Sequence, residues 1–146
     1  MELVTEAYLD LLQNNIENII NGDIVKINQD HSKATYNRKR NLSDNLIDWY
    51  SSAIQIYNMI RALSKPYPGA YTFLNQRKLI IWKTSLIEDI NIEIVKVPGS
   101  IIEIIINKGV VVHTYEGSIL IEKVQYENDE QKVASEVLNS LDIILG

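Results

Sequence analysis

The sequence predicts an α+β chain: an N-terminal helix and linker, then a small antiparallel β-barrel closed by a C-terminal helix. Three observations predict it. Apolar residues recur at helical spacing before Ala70 and fall into short β-rich runs after it. The helix just ahead of that change has a start signal, Ser-Ala-Ile-Gln at 52–55, and a stop signal, Pro-Tyr-Pro-Gly at 66–69. The later runs are broken at close intervals by Asn75-Gln76, Pro98-Gly99, Lys108-Gly109 and Glu116-Gly117, a spacing that suits a small barrel or sandwich.

Composition bounds the rest. A chain of 146 residues has room for one ordinary domain, or a small domain with an appendage. Its 46% hydrophobic and 23% charged residues match a soluble globular protein. No apolar run approaches the ~18 residues of a membrane span. Acids stand near the N-terminus where a secretory signal carries bases, so no targeting segment is read there. The absence of cysteine excludes disulfides and thiol nucleophiles, and removes most structural zinc sites. Cytoplasm is the default compartment.

Residues 2–21 read as an amphipathic helix. Tyr8, Leu12, Ile16 and Ile19 share one face, with Leu9 and Ile20 widening it. Glu2, Glu6 and Asp10 sit early, where the helix dipole favours acids, and Asn21-Gly22 is a stop. The stripe calls for a partner, either the rest of this chain or something outside it. Residues 23–46 form a polar connector holding the basic run Arg38-Lys39-Arg40. Such a run is usually solvated, but adjacent cations also suit an anion, and a diphosphate fits the arginine fork.

Ser52 opens the next helix, with Ala53, Ile56, Ile60 and Leu63 as its buried stripe and Tyr57 and Arg61 on another face. Asp48 and Trp49, if buried, need a donor for the carboxylate and an acceptor for the indole. Strands are expected at Tyr71–Leu74, Leu79–Leu86, Ile92–Val97, Ile101–Ile106, Val110–Tyr115 and Ser118–Tyr126. Isoleucine on both faces near 101–106 suggests a strand covered on both sides. Glu130–Leu145 reads as the closing helix, with Val133, Val137 and Leu141 in register and Asn128 or Asp129 as its cap. The divisions are 1–46, 47–69 and 70–146.

Little of this text carries chemistry. There is no glycine-rich phosphate loop, no paired-histidine motif and no nucleophile elbow. His31 and His113 are far apart in sequence and lack a signalled orienting partner. No metal site is expected. A small barrel suggests an OB-like fold, which often binds nucleic acid. The charge disfavours that partner: the chain is net −5, and over residues 70–127 six Lys and Arg meet seven Asp and Glu.

The stretch Ile47-Asp48-Trp49, residues 56–64 (Ile-Tyr-Asn-Met-Ile-Arg-Ala-Leu-Ser) and residues 66–71 (Pro-Tyr-Pro-Gly-Ala-Tyr) resemble the tetrahydrofolate-dependent formyltransferases. Ile27–Asp30 and Lys33–Tyr36 are similar to that family's linker. Leu79–Trp82, Pro98-Gly99 and Gly109–Gln125 are similar to its C-terminal barrel. The resemblance implies 10-formyltetrahydrofolate as formyl donor in the full-length enzyme, bound outside this chain. It also implies an N-terminal catalytic domain, with Asn, His and Asp as its chemistry, upstream of the present text. Neither His31 nor His113 falls in that motif. The first helix resembles the last helix of the catalytic domain, so its expected partner is that domain or a second copy of this chain.

One branch of the family formylates methionyl-tRNA, and another the amine of a nucleotide-linked amino sugar. Lys39-Arg40, Asp44 and Ile47-Asp48-Trp49 look more like the sugar branch, as does the acidic C-terminal part. The resemblance thus implies a nucleotide sugar as partner, with Lys39 and Arg40 on the substrate side. Asp48, Trp49, Arg61 and Tyr67 are the implied domain-junction residues. A tRNA-binding domain and a stand-alone structural or oligomerisation module are the alternatives.

Overall fold

The structure is a computed structural model that describes residues 2–87 and 96–146. It divides into two compact units, Met1–Arg38 and Lys39–Gly146. The first holds α1 (Glu2–Asn21) and a 3-10 turn, His31–Lys33. As the spacing predicts, α1 is helical throughout, and its stripe residues Tyr8, Leu12, Ile16 and Ile19 are all exposed. The 3-10 turn is capped by Asp30, whose Oδ1 accepts from the Ser32 N–H at 3.0 Å and from its hydroxyl at 2.6 Å. These bonds hold the Asp30 carboxyl below its ordinary range.

The second unit begins with a 3-10 turn, Leu42–Asn45, and continues to α2 (Ala53–Leu63). The expected capping box opens α2: the Ser52 N–H donates to Gln55 Oε1 at 3.0 Å, and the Gln55 N–H donates to Ser52 Oγ at 3.4 Å. Ala53, Ile56, Ile60 and Leu63 are buried, the stripe read from the spacing. The helix ends where Ser64 turns extended and its hydroxyl donates to the Ile60 and Trp82 carbonyls. The Gly69 N–H then closes the Pro-Tyr-Pro-Gly turn on the Leu63 carbonyl at 2.9 Å.

Among the described residues six strands follow: β1 (Ala70–Leu74), β2 (Arg77–Leu86), β3 (Ile101–Ile105), β4 (Gly109–His113), β5 (Ser118–Tyr126) and β6 (Lys132–Val133). These strands pair antiparallel with one another, in the order β1-β2-β5-β4-β3, with β6 on β5. Asn75 and Gln76 both take positive φ, 50° and 65°, the requirement of a two-residue hairpin between twisted strands. The sheet packs beneath α2, and its core gathers Leu79, Ile81, Ile101, Val110, Ile119 and Ile121 with the α2 stripe. This is the mixed helical and antiparallel architecture the sequence predicts. The expected strand Ile92–Val97 falls mostly outside the described residues.

As a ladder the sheet is open among the described residues, with β1 and β3 at its ends. Residues Ile143–Gly146 tie those ends together. The Ile101 N–H donates to the Ile143 carbonyl at 3.2 Å, and the Leu145 N–H to the Gly99 carbonyl at 2.9 Å. The Gly146 N–H reaches the Phe73 carbonyl in β1 at 3.2 Å. Gly99, at φ +94°, has no room for a side chain: a Cβ there would run into the Leu145 carbonyl oxygen.

Two expectations need correction. The closing helix is a single turn, α3 (Ala134–Val137), not 130–145. Lys132 and Val133 pair with β5 instead, so the β-branched Val133 extends the sheet and occupies the N-cap position. Asn128, at φ +68°, belongs to the preceding turn and is not the cap. Farther on, Ser140 Oγ accepts from the Asp142 N–H, a local bond that competes with helix continuation. The buried residues are accordingly Ala134, Leu138 and Leu145, while Leu141 is exposed. Strand β3 is also not covered on both faces: Ile101 is buried, but Ile104 and Ile105 are half-buried and Ile106 is exposed. Among the described residues no helix is long and apolar enough to cross a membrane.

Candidate functional site

The connector between the basic run and α2 builds the site. Asn41 caps the 3-10 turn Leu42–Asn45 through a reciprocal box. Its N–H donates to Asp44 Oδ2 at 2.7 Å, and the Asp44 N–H donates to the Asn41 carbonyl at 3.0 Å. This turn fixes Arg40, whose Nη2 donates to the Asp44 carbonyl at 2.9 Å. A guanidinium has five N–H donors, so one is spent on holding the side chain and others stay available for an anion.

Opposite the turn stand the end of α2 and the Pro-Tyr-Pro-Gly segment. Together they enclose a cavity of about 460 Å³ lined by Arg40, Asn41, Leu42, Asn45, Ala62, Leu63, Tyr67 and Pro68. Its walls are mainly apolar, with one cation, two primary amides and one phenol. That composition suits a small molecule with an apolar body and an anionic group.

Arg40 and Tyr67, two of the residues singled out from the sequence, meet in this cavity. Lys39 precedes Arg40 and is not among the lining residues. The other three lie elsewhere. Asp48 is exposed and its Oδ1 accepts from the Tyr50 N–H at 3.0 Å, a local turn bond. Trp49 is 3% exposed, and its indole N–H donates to Thr72 Oγ1 at 3.0 Å. Arg61 donates from Nε to Asn58 Oδ1 at 2.8 Å, and its guanidinium carbon lies 5.8 Å from the Tyr57 ring centroid. Asn45, buried at the cavity, carried no signal in the sequence pattern. Only its place at the end of a capped turn could have marked it.

The remaining polar clusters are engaged locally. Lys83 Nζ lies 2.6 Å from Glu122 Oε2, and the Ser85 hydroxyl donates to the other oxygen. Burial pushes the Glu122 carboxyl up, but the Lys83 and Ser85 hydrogen bonds and the charges of Lys83 and Lys108 outweigh it and hold the carboxyl below its ordinary value. Lys78 lies 3.3 Å from Glu127 and stacks over Tyr71, while Arg77 stacks over Tyr126 at 4.2 Å. His31 is exposed in its 3-10 turn, and His113 is half-buried at the end of β4. Among the described residues no group of His, Cys, Asp and Glu is arranged to hold a metal ion.

Fold and cavity define a small α+β domain, an antiparallel sheet under one capped helix, with an arginine-edged cavity beside the helix end. The chain belongs to the formyl transferase C-terminal domain family, whose model matches residues 40–142. It is 41% identical over 96 residues to the bifunctional polymyxin resistance protein ArnA of Wigglesworthia glossinidia brevipalpis, covering 66% of this chain and 14% of that protein. It is 33% identical over 136 residues to the methionyl-tRNA formyltransferase of Clostridium novyi, covering 92% of this chain and 42% of that protein. The chain thus spans less than half the length of these curated relatives. The crystal structure of an Aquifex aeolicus HypX variant superposes with a TM-score of 0.66 at 18% identity, over 94% of this chain and 24% of that one. HypX in complex with tetrahydrofolic acid superposes at 0.64 and 17% identity, over 90% of this chain and 22% of that one. At such identity the likeness shows the fold alone.

Proposed function

We propose that this chain is the non-catalytic C-terminal portion of a formyltransferase that uses 10-formyltetrahydrofolate to formylate the amine of a nucleotide-linked amino sugar. The observation that carries the reading is the Arg40 cavity: a pinned guanidinium at the edge of an apolar space of about 460 Å³. Arg40 receives the diphosphate, and the apolar walls receive the nucleoside. The net charge of −5 favours a small anion gripped by one arginine over the long polyanion of a tRNA.

In this reading the formyl donor binds elsewhere in the full enzyme, which also supplies the acid and base for attack of the amine on the formyl carbon. What this chain contributes is binding and orientation of the sugar nucleotide.

Calorimetric titration of the purified chain with UDP-glucosamine tests the reading. Binding is expected, and Arg40→Ala should weaken it about 10- to 100-fold, the ~1.5–3 kcal/mol of a hydrogen bond to a charged group. Undiminished affinity in that variant would remove Arg40 from the site. Salt-dependent binding of tRNA at micromolar protein would favour the tRNA branch instead.

A further inference from the structure

Asn45 is the most confined polar side chain of the cavity. It is 4% exposed, yet it lines the open space. Among the described residues its side-chain amide makes no hydrogen bond to the protein, and no sealed side-chain nitrogen or oxygen lacks a partner, so the amide atoms open onto the cavity. A primary amide offers two donors and an acceptor, and a buried one is normally matched. The amide is instead held at the wall of a cavity whose lining also includes the apolar Leu42, Ala62, Leu63 and Pro68. Arg40, by contrast, is exposed. The lining therefore grades from an exposed cation to a buried asparagine whose amide opens onto the space.

That gradient orders a ligand. A phosphate keeps its charge near water and Arg40, while a planar, weakly solvated ring enters the apolar end. There a side-chain amide pairs side by side with a ring edge that carries a donor next to an acceptor, as nucleobases do. We propose that Asn45 is the base-recognition residue of this cavity, reading the donor–acceptor edge of a nucleobase whose phosphate lies toward Arg40. The inference rests on the reading that the cavity takes the nucleotide end of the substrate, and adds how the base is held. Tyr67 also lines the cavity, half in solvent, and offers an aromatic face to the ring.

The test uses the whole chain and five probes: the uridine, cytidine, adenosine and guanosine 5′-monophosphates, and pyrophosphate, each titrated by NMR. At least one monophosphate should shift the Asn45 side-chain amide resonances, and pyrophosphate should not. Asn45→Ala should weaken that monophosphate 10- to 100-fold and leave pyrophosphate affinity unchanged, which also reports that the variant is folded. Asn45→Asp, which replaces the amide by an acceptor, should move preference toward bases whose edge presents an amino donor. Should Asn45→Ala unfold, the wild-type resonance shifts and the Asn45→Asp preference decide. Monophosphate binding that ignores both substitutions overturns the role of Asn45 and leaves the Arg40 reading standing. Binding of no nucleotide and no pyrophosphate overturns both.

Discussion

Replacing Gly99 by alanine should cost this domain a large part of its stability. Gly99 sits at φ +94°, where a side chain carries about 1–2 kcal/mol of strain, and its Cβ would run into the Leu145 carbonyl oxygen. To make room, the segment that joins β3 to β1 has to move. That movement breaks the bond from the Leu145 N–H to the Gly99 carbonyl, worth about 0.5–1.5 kcal/mol. It also lifts Leu145, now 2% exposed, toward water, at about 1.5–3 kcal/mol for full exposure. Together these reach about 3–6.5 kcal/mol, against about 5–15 kcal/mol for an ordinary domain. Urea unfolding followed by tryptophan fluorescence measures it, since buried Trp49 packs beside Gly99. In a chain ending at Ile144 the same substitution should cost only the backbone strain. A loss below about 1 kcal/mol in the full chain would refute the claim that this segment closes the sheet.

Two further outcomes follow from buried polar groups. Thr72→Val keeps the shape of the side chain but removes the acceptor of the Trp49 indole N–H, and should cost about 1–3 kcal/mol in urea unfolding. A change under about 0.5 kcal/mol would show that the indole finds another acceptor. Glu122 titrates lower in the folded chain than in the unfolded one, where a glutamate titrates near about 4.3. The stability it contributes is thus fully present above that value and lost as pH falls through the folded value. The stability advantage of wild type over Glu122→Gln should therefore shrink as the pH drops below about 4.3. An advantage that stays constant from neutral pH to pH 3 would contradict the Lys83–Glu122–Ser85 arrangement.

What the sequence made legible was local. The cap at Ser52, the α2 stripe and the stop at Pro66–Gly69 depend on neighbours within a turn or two, so their spacing identifies them. Strand β5 was placed to the residue because Ser118–Tyr126 lies between two turns. The closing helix is present but shorter than the spacing predicts, because Val133 also suits a sheet and pairs with β5, leaving Ala134–Val137 as the helix. The bonds of Ile143–Gly146 join residues far apart in the chain, which no local pattern reports. The cavity divides the same way. Arg40 and Tyr67 stood out as a charge and a turn aromatic, whereas Asn45 gains meaning only from burial beside the end of α2. Asp48, Trp49 and Arg61, conspicuous in the sequence, each have a partner away from the cavity.

The most direct test of the proposal that this chain recognises substrate and leaves the chemistry to another domain is turnover. The purified 146-residue chain is incubated with 10-formyltetrahydrofolate and UDP-glucosamine, and mass spectrometry follows the N-formyl product. The expected result is that UDP-glucosamine binds but no product forms beyond the uncatalysed background. Formylation at a rate proportional to chain concentration would contradict it, because the acid and base for the transfer would then have to lie among these residues.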